Sequence, residues 1–124
     1  MPKLVFAVAL LALLSQSAFA SQTACVFSTG QSPHYYELEF IGDSDARLVI
    51  VFSSTAFGSG KRLTLSPASY TLKNFSQKAR SVDLEFRNPN DRTLPPSFGL
   101  VGTGGRGWFK TGSMIIEGNF NCDY

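Results

Sequence analysis

The sequence predicts an all-β domain, a small antiparallel barrel or sandwich of about eight or nine short strands whose termini are joined by a disulfide. Three observations lead to this fold class. Apolar and polar residues alternate along most of the chain, and the helical spacing i, i+3, i+4, i+7 is absent after residue 20. In addition, a large apolar residue recurs every 11 to 13 positions.

Each strand is identified by the residues that face one side of the expected sheet, because side chains alternate between its two faces. Turn-forming residues separate the strands, most clearly at Asn88, Pro89 and the Pro95-Pro96 pair. The expected inward positions are Tyr36, Leu38 and Phe40; Leu48, Ile50 and Phe52; Leu63 and Leu65; the apolar members of the segment Tyr70 to Phe75; Val82, Leu84 and Phe86; Phe98 and Leu100; and Met114, Ile116, Gly118, Phe120 and Cys122.

A phenylalanine series supports the strand count. Its members follow one another at the regular spacing except between Phe52 and Phe75, where the gap is doubled and Leu63 stands at the missing position. We interpret the series as one core aromatic residue for each unit of strand plus turn. Its members are Phe27, Phe40, Phe52, Phe75, Phe86, Phe98, Phe109 and Phe120.

Composition limits the number of domains and the classes of partner. A chain of 124 residues with 44% hydrophobic residues fits one domain. A formal net charge of +2 gives no general attraction to nucleic acid or to an anionic membrane, so we expect neither as a partner. No motif for a cofactor is present, and none is expected.

The first 20 residues have the pattern of a signal peptide. Lys3 is followed by eleven apolar residues at positions 4–14, and Ala18 and Ala20 are the small residues that a signal peptidase requires. The apolar run is too short to span a bilayer, so no membrane insertion is expected. The sequence therefore predicts a signal peptide at 1–20 and a single all-β domain at 21–124, exported to a periplasmic or extracellular compartment.

Export permits a disulfide between the two cysteines of the chain. Cys25 and Cys122 lie near the two ends of the domain, and we expect them to join these ends. With both cysteines paired and His34 the only histidine, no metal site is expected.

Few residues have the pattern of a catalytic site. A small hydrolase could use His34, but no G-x-S-x-G motif accompanies it, and a surface histidine is the preferred interpretation. Asp43 and Asp45 are better explained by a polar hairpin turn than by a calcium loop. The sequence therefore favours a protein that is not an enzyme.

The least ordinary segment is residues 102–112, which hold five of the 11 glycines and the only tryptophan. In one interpretation this is a hairpin loop in which Trp108 and Phe109 point to opposite faces and one of them is buried. In the other, it is a long flexible recognition loop in which Arg106 and Trp108 contact a partner, since both residue types are frequent at binding hot spots.

Tyr35 and Phe57 are two further candidate binding residues. Phe57 is surrounded by Ser, Thr and Gly, so either its loop folds back onto the core or an aromatic ring is exposed. Together these features favour an exported, non-enzymatic binding module that recognises a protein or glycan through its loops. The first alternative function is an inhibitor of a lysozyme or protease, and the second alternative is a small hydrolase that uses His34.

Overall fold

The computed structural model describes residues 23–30, 33–42 and 48–123. The predicted signal peptide, the start of the domain at Ser21 and the Asp43-Ser44-Asp45 turn lie outside the described residues. Within them the chain forms nine strands, separated by turns and by two short 3-10 turns at Gly58–Gly60 and Pro67–Ser69. The strands are β1 Thr23–Ser28, β2 Tyr36–Ile41, β3 Val49–Ser54, β4 Leu63–Thr64, β5 Tyr70–Ser76, β6 Ser81–Phe86, β7 Phe98–Thr103, β8 Arg106–Thr111 and β9 Met114–Asn121.

All nine strands belong to one antiparallel sheet with the order β4-β3-β2-β1-β9-β8-β7-β6-β5. Neighbouring strands are consecutive in the chain except at the centre of the sheet, where β1 pairs with β9. The sheet curls into a half-barrel whose two edges are β4 and β5. The predicted all-β class is confirmed. Of the two predicted architectures, barrel and sandwich, the single curled sheet corresponds to the barrel.

The concave face of the sheet holds the phenylalanine series. Seven of its members are buried, and Phe75 is half-buried against the same core. The rings join the two halves of the sheet: Phe52 of β3 stacks on Phe98 of β7 at 5.4 Å, and Phe40 of β2 stacks on Phe75 of β5 at 5.2 Å. Each buried ring contributes about 1.5–3 kcal/mol of hydrophobic stabilisation.

The predicted disulfide is present and connects the chain ends. Cys25 and Cys122 are buried and joined, with their Cα atoms 4.0 Å apart. Next to the bond, Phe27 of β1 pairs with Phe120 of β9, so the ends of the domain are fixed in the middle of the sheet. The disulfide indicates that the chain folds in an oxidising compartment.

Residues 102–112 do not form a long flexible loop, and this prediction is wrong. They comprise the end of β7, a two-residue turn at Gly104 and Gly105, the whole of β8, and Gly112 in the turn that follows it. Both turn glycines have positive φ angles, +61° and +93°, as a type I′ hairpin turn requires.

Three other glycines form a row across neighbouring strands, in which Gly102 pairs with Gly107 and Gly107 pairs with Gly118. A Cβ atom on Gly107 would lie 2.7 Å from the Phe27 ring. One on Gly118 would lie 2.5 Å from the carbonyl oxygen of Ser28. Gly107 and Gly118 therefore make room for the Phe27 ring, while a Cβ atom on Gly102 would meet Val82 and the Arg106 carbonyl.

Candidate functional site

Trp108 lies on the convex face of the sheet, in the middle of β8. Its neighbour Phe109 points to the concave side and is 1% exposed, whereas Trp108 is 37% exposed. The prediction that these two rings point to opposite faces, with one of them buried, is confirmed. Because β8 pairs with β7 on one side and β9 on the other, the backbone under Trp108 is hydrogen-bonded on both sides.

Two more apolar side chains are exposed beside Trp108. Val101 of β7 lies directly opposite it and is 52% exposed. Ile115 of β9 pairs with Lys110, which places it diagonally from Trp108, and it is 62% exposed. Diagonal neighbours across a strand pair lie about 7–8 Å apart, within reach of a tryptophan ring. The three side chains thus form one apolar surface on three adjacent strands.

Charged side chains surround this surface. Arg106 and Lys110 lie two positions before and after Trp108 on β8, and both are exposed. The Nη1 atom of Arg106 pairs with the Oε2 atom of Glu117, which is opposite Trp108 on β9. An exposed ion pair of this kind contributes at most about 1 kcal/mol to stability. We define the Trp108 face as Val101, Arg106, Trp108, Lys110, Ile115 and Glu117.

Tyr35 does not lie near the Trp108 face. It immediately precedes β2, and its backbone N–H donates to the Thr55 hydroxyl at 3.0 Å while its carbonyl accepts from the Thr55 N–H at 3.3 Å. The Tyr35 hydroxyl lies against Gly60, next to the position that a Cβ atom on that residue would occupy. Tyr35 is half-buried, so most of its ring serves to hold the segment after β3.

Phe57 lies at the same end of the half-barrel as Tyr35. Its N–H donates to the carbonyl of Ser54 at 3.3 Å, and its ring meets Phe52 edge-on at 6.5 Å between centroids. Of the two alternatives for Phe57, the loop that folds back is the one observed. The four candidate binding residues therefore form two separate groups, Arg106 with Trp108 and Tyr35 with Phe57.

His34 is exposed and lies close to a hydroxyl. Its Nδ1 atom is 3.4 Å from Thr55 Oγ1, and in the described ranges no carboxylate is hydrogen-bonded to it. Among the residues that the structure describes, no three His, Cys, Asp or Glu side chains lie close enough together to hold a metal ion. Among the described residues, His34 therefore has no carboxylate that orients it as in a catalytic triad.

The loop between β6 and β7 is ordered, which no pattern in the sequence indicates. The Asn88 side chain holds it: Nδ2 donates to the carbonyls of Asp91 at 2.9 Å, Leu94 at 3.2 Å and Pro95 at 2.8 Å. Its Oδ1 atom accepts from the Asp91 N–H at 2.7 Å. Asn-Pro-Asn-Asp by itself indicates only a turn, because the bonds to Leu94 and Pro95 depend on residues that follow it.

No family model, no curated protein and no solved structure matches the chain. None of the helical segments within 23–30, 33–42 and 48–123 has the length and apolar character needed to span a bilayer. Any function must therefore be inferred from the geometry of the chain's own residues.

Proposed function

We propose that this protein is an exported, non-enzymatic binding module that recognises a protein partner through the Trp108 face. The observation that carries the proposal is the exposure of Val101, Trp108 and Ile115 side by side on three neighbouring strands. An apolar centre with a charged rim is the usual anatomy of a protein interface. Tryptophan and arginine are also the residue types most often found at binding hot spots.

A sheet face suits this role because it is already ordered. In place of the flexible loop that the glycines suggest, Arg106 and Trp108 lie on a strand that is paired along both sides. Binding through such a strand requires little additional ordering of the backbone, which lowers the entropic cost of association. We therefore assign recognition of the partner to the sheet surface around Trp108 and not to a loop formed by residues 102–112.

A protein is a better partner for this surface than a glycan. Val101 and Ile115 offer no hydrogen-bonding groups, whereas sugar hydroxyls leave water favourably only when polar groups replace it. The branched aliphatic side chains on either side of Trp108 instead match the apolar side chains of another protein. Export is supported by the signal-peptide pattern at residues 1–20 and by the Cys25–Cys122 disulfide.

The test compares Trp108→Ala with Val49→Ala. Val49 is 41% exposed on β3, in the other half of the sheet, and is the matched control for loss of an exposed apolar side chain. A protein retained from the native compartment by the wild type is purified, and its dissociation constant is measured for each variant. Trp108→Ala is expected to weaken binding by about 30-fold, equivalent to about 2 kcal/mol, while Val49→Ala stays within about twofold.

The proposal fails if the purified partner binds Trp108→Ala as tightly as the wild type. A ligand that survives protease treatment and still requires Trp108 would support the glycan version instead. Inhibition of a lysozyme or protease that is lost in Trp108→Ala would identify the enzyme-inhibitor case. The hydrolase alternative requires an activity that disappears in His34→Ala, with the Trp108 variant unaffected.

A further inference from the structure

A small cavity opens at the end of the half-barrel where Phe57 lies, on the concave side of the sheet. Its volume is about 120 Å³. Aromatic rings form its inner wall, from Tyr36, Phe52, Phe98 and Phe109. These rings are stacked on one another, with centroid distances of 4.6 Å for Tyr36–Phe109 and 4.9 Å for Phe98–Phe109. The wall is therefore rigid and apolar.

The mouth of the cavity is formed by two segments that follow different strands. Ala56 and Phe57 come from the segment after β3, and Pro96 comes from the Asn88-held loop before β7, whose buried Pro95 belongs to the cavity wall. Phe57 and Pro96 also line an open surface groove of about 530 Å³, together with the polar residues Asn88, Asn90, Asp91 and Arg92. The apolar inner cavity thus continues into an open groove of mixed lining, in which Leu94, Phe57 and Pro96 are apolar and Asn90, Asp91 and Arg92 supply polar and charged groups.

The buried polar side-chain atoms that line the cavity already have hydrogen-bond partners, so they do not require a polar atom of a ligand. The Thr111 hydroxyl at its wall already donates to the carbonyl of Ser97 at 3.0 Å. In the part of the chain that the structure describes, no buried side-chain nitrogen or oxygen lacks a hydrogen-bond partner. A water molecule needs two to four polar partners to be held, so an uncharged apolar group is the better occupant.

The size of the cavity sets the size of this group. An apolar protein cavity of about 150 Å³ accepts benzene, so a cavity slightly smaller and open at one side fits a single six-membered ring. An apolar pocket with a few polar groups at its edge is the usual composition of a small-molecule site. These dimensions favour a small molecule with one apolar and one polar end.

We propose that this cavity binds a small amphiphilic molecule, which places one uncharged apolar ring between Phe57 and the inner aromatic wall and its polar end in the groove. This site is independent of the Trp108 face, because Phe109 lines the cavity from the concave side while Trp108 points to the convex side.

Benzyl alcohol is the probe, and its binding is followed by NMR shifts of the Ala56 and Thr111 methyl groups. We expect saturable shifts with benzyl alcohol and none with myo-inositol, whose six-membered ring is covered with hydroxyl groups. Ala56→Leu, which fills the mouth, is expected to weaken binding by about tenfold or more. The control Ala79→Leu adds the same group to an exposed turn between β5 and β6 and is expected to change binding by less than about twofold.

Phe57→Ala serves as a second variant in case Ala56→Leu disturbs the fold. It removes one wall of the cavity from a half-buried position, and we expect at least about a tenfold loss of affinity. Shifts that do not saturate, equal binding of myo-inositol, or unchanged affinity in Phe57→Ala would each overturn the proposal. Trp108→Ala is expected to bind benzyl alcohol normally, so failure here is distinguishable from failure of the proposed partner surface.

Discussion

Thr93 donates two hydrogen bonds to the same carboxylate oxygen of Asp91, one from its hydroxyl at 2.6 Å and one from its backbone N–H at 2.9 Å. The side-chain bond, and then the backbone bond, lower the pKa of Asp91 from its ordinary value. Because the folded pKa is the lower one, the ionised carboxylate stabilises the loop above the ordinary aspartate pKa of about 3.9. That stabilisation is lost as the pH falls through the folded pKa.

Thr93→Val tests this assignment at the level of one residue. The change removes the hydroxyl donor and keeps the backbone N–H, so the pKa of Asp91 is expected to rise toward its ordinary value. Thr93→Ser keeps the hydroxyl and is expected to keep the pKa low. Carbon-13 NMR titration of the Asp91 carboxyl measures both, and identical midpoints for the wild type and Thr93→Val would contradict the assignment.

The strands β8 and β9 depend on Gly107 and Gly118 for their close approach to Phe27 and Ser28 of β1. Gly107→Ala would place a Cβ atom 2.7 Å from the Phe27 ring, which is itself fully buried and has little room to move. Overpacking of this kind typically costs about 1–3 kcal/mol. The matched control is Gly99→Ala in β7, where the nearest atom to the added Cβ is the Leu84 carbonyl oxygen at 3.7 Å.

Denaturant unfolding of the two glycine variants gives the comparison. We expect Gly107→Ala to lower the free energy of unfolding by about 1–3 kcal/mol, and Gly99→Ala to change it by about 1 kcal/mol or less in either direction. Equal losses for both would mean that glycine is needed in these strands for some reason other than contact with Phe27.

The same elements show how far the sequence predicts the fold. Alternation placed Val82, Leu84 and Phe86 on the buried face, because the period of two is a local property of a strand. Residues 102–112 were placed in a loop because glycine is a local signal for turns. The ring that requires Gly107, Phe27, is far away in the sequence, so no local pattern could assign that glycine to a strand.

At the scale of the whole molecule, the disulfide and the β1–β9 pairing act on the same pair of chain ends. The cysteines are separated by 97 positions, and loss of a native disulfide from a small domain typically costs about 2–5 kcal/mol. We therefore expect the Cys25→Ser, Cys122→Ser double variant to lose about that much stability in denaturant unfolding.

The mass of the intact exported protein tests both the removal of residues 1–20 and the pairing of Cys25 with Cys122. The expected mass is that of residues 21–124 with no free thiol, and alkylation is expected only after reduction. A mass that retains residues 1–20, or two thiols alkylated without reductant, would contradict it.

Strand order also explains which parts of the candidate site could be predicted. The exposure of Trp108 follows from alternation once Phe109 is assigned to the core. The separation of Trp108 from Tyr35 and Phe57 depends on the curl of the sheet and on the β1–β9 pairing, which no local pattern specifies. Nor could Val101 and Ile115 be placed beside Trp108 without the register of β7, β8 and β9.

The position of the sheet edges has a consequence for how the chain could be reconnected. The two edge strands, β4 and β5, are joined by the short segment that contains Pro67–Ser69, while the two ends of the domain lie side by side at β1 and β9. A circular permutant that links those ends and opens the chain at this segment would run from β5 through β9 and β1 to β4 in sheet order. Every pairing among the described strands would then join consecutive strands, and the lower contact order would favour faster folding than in the natural chain.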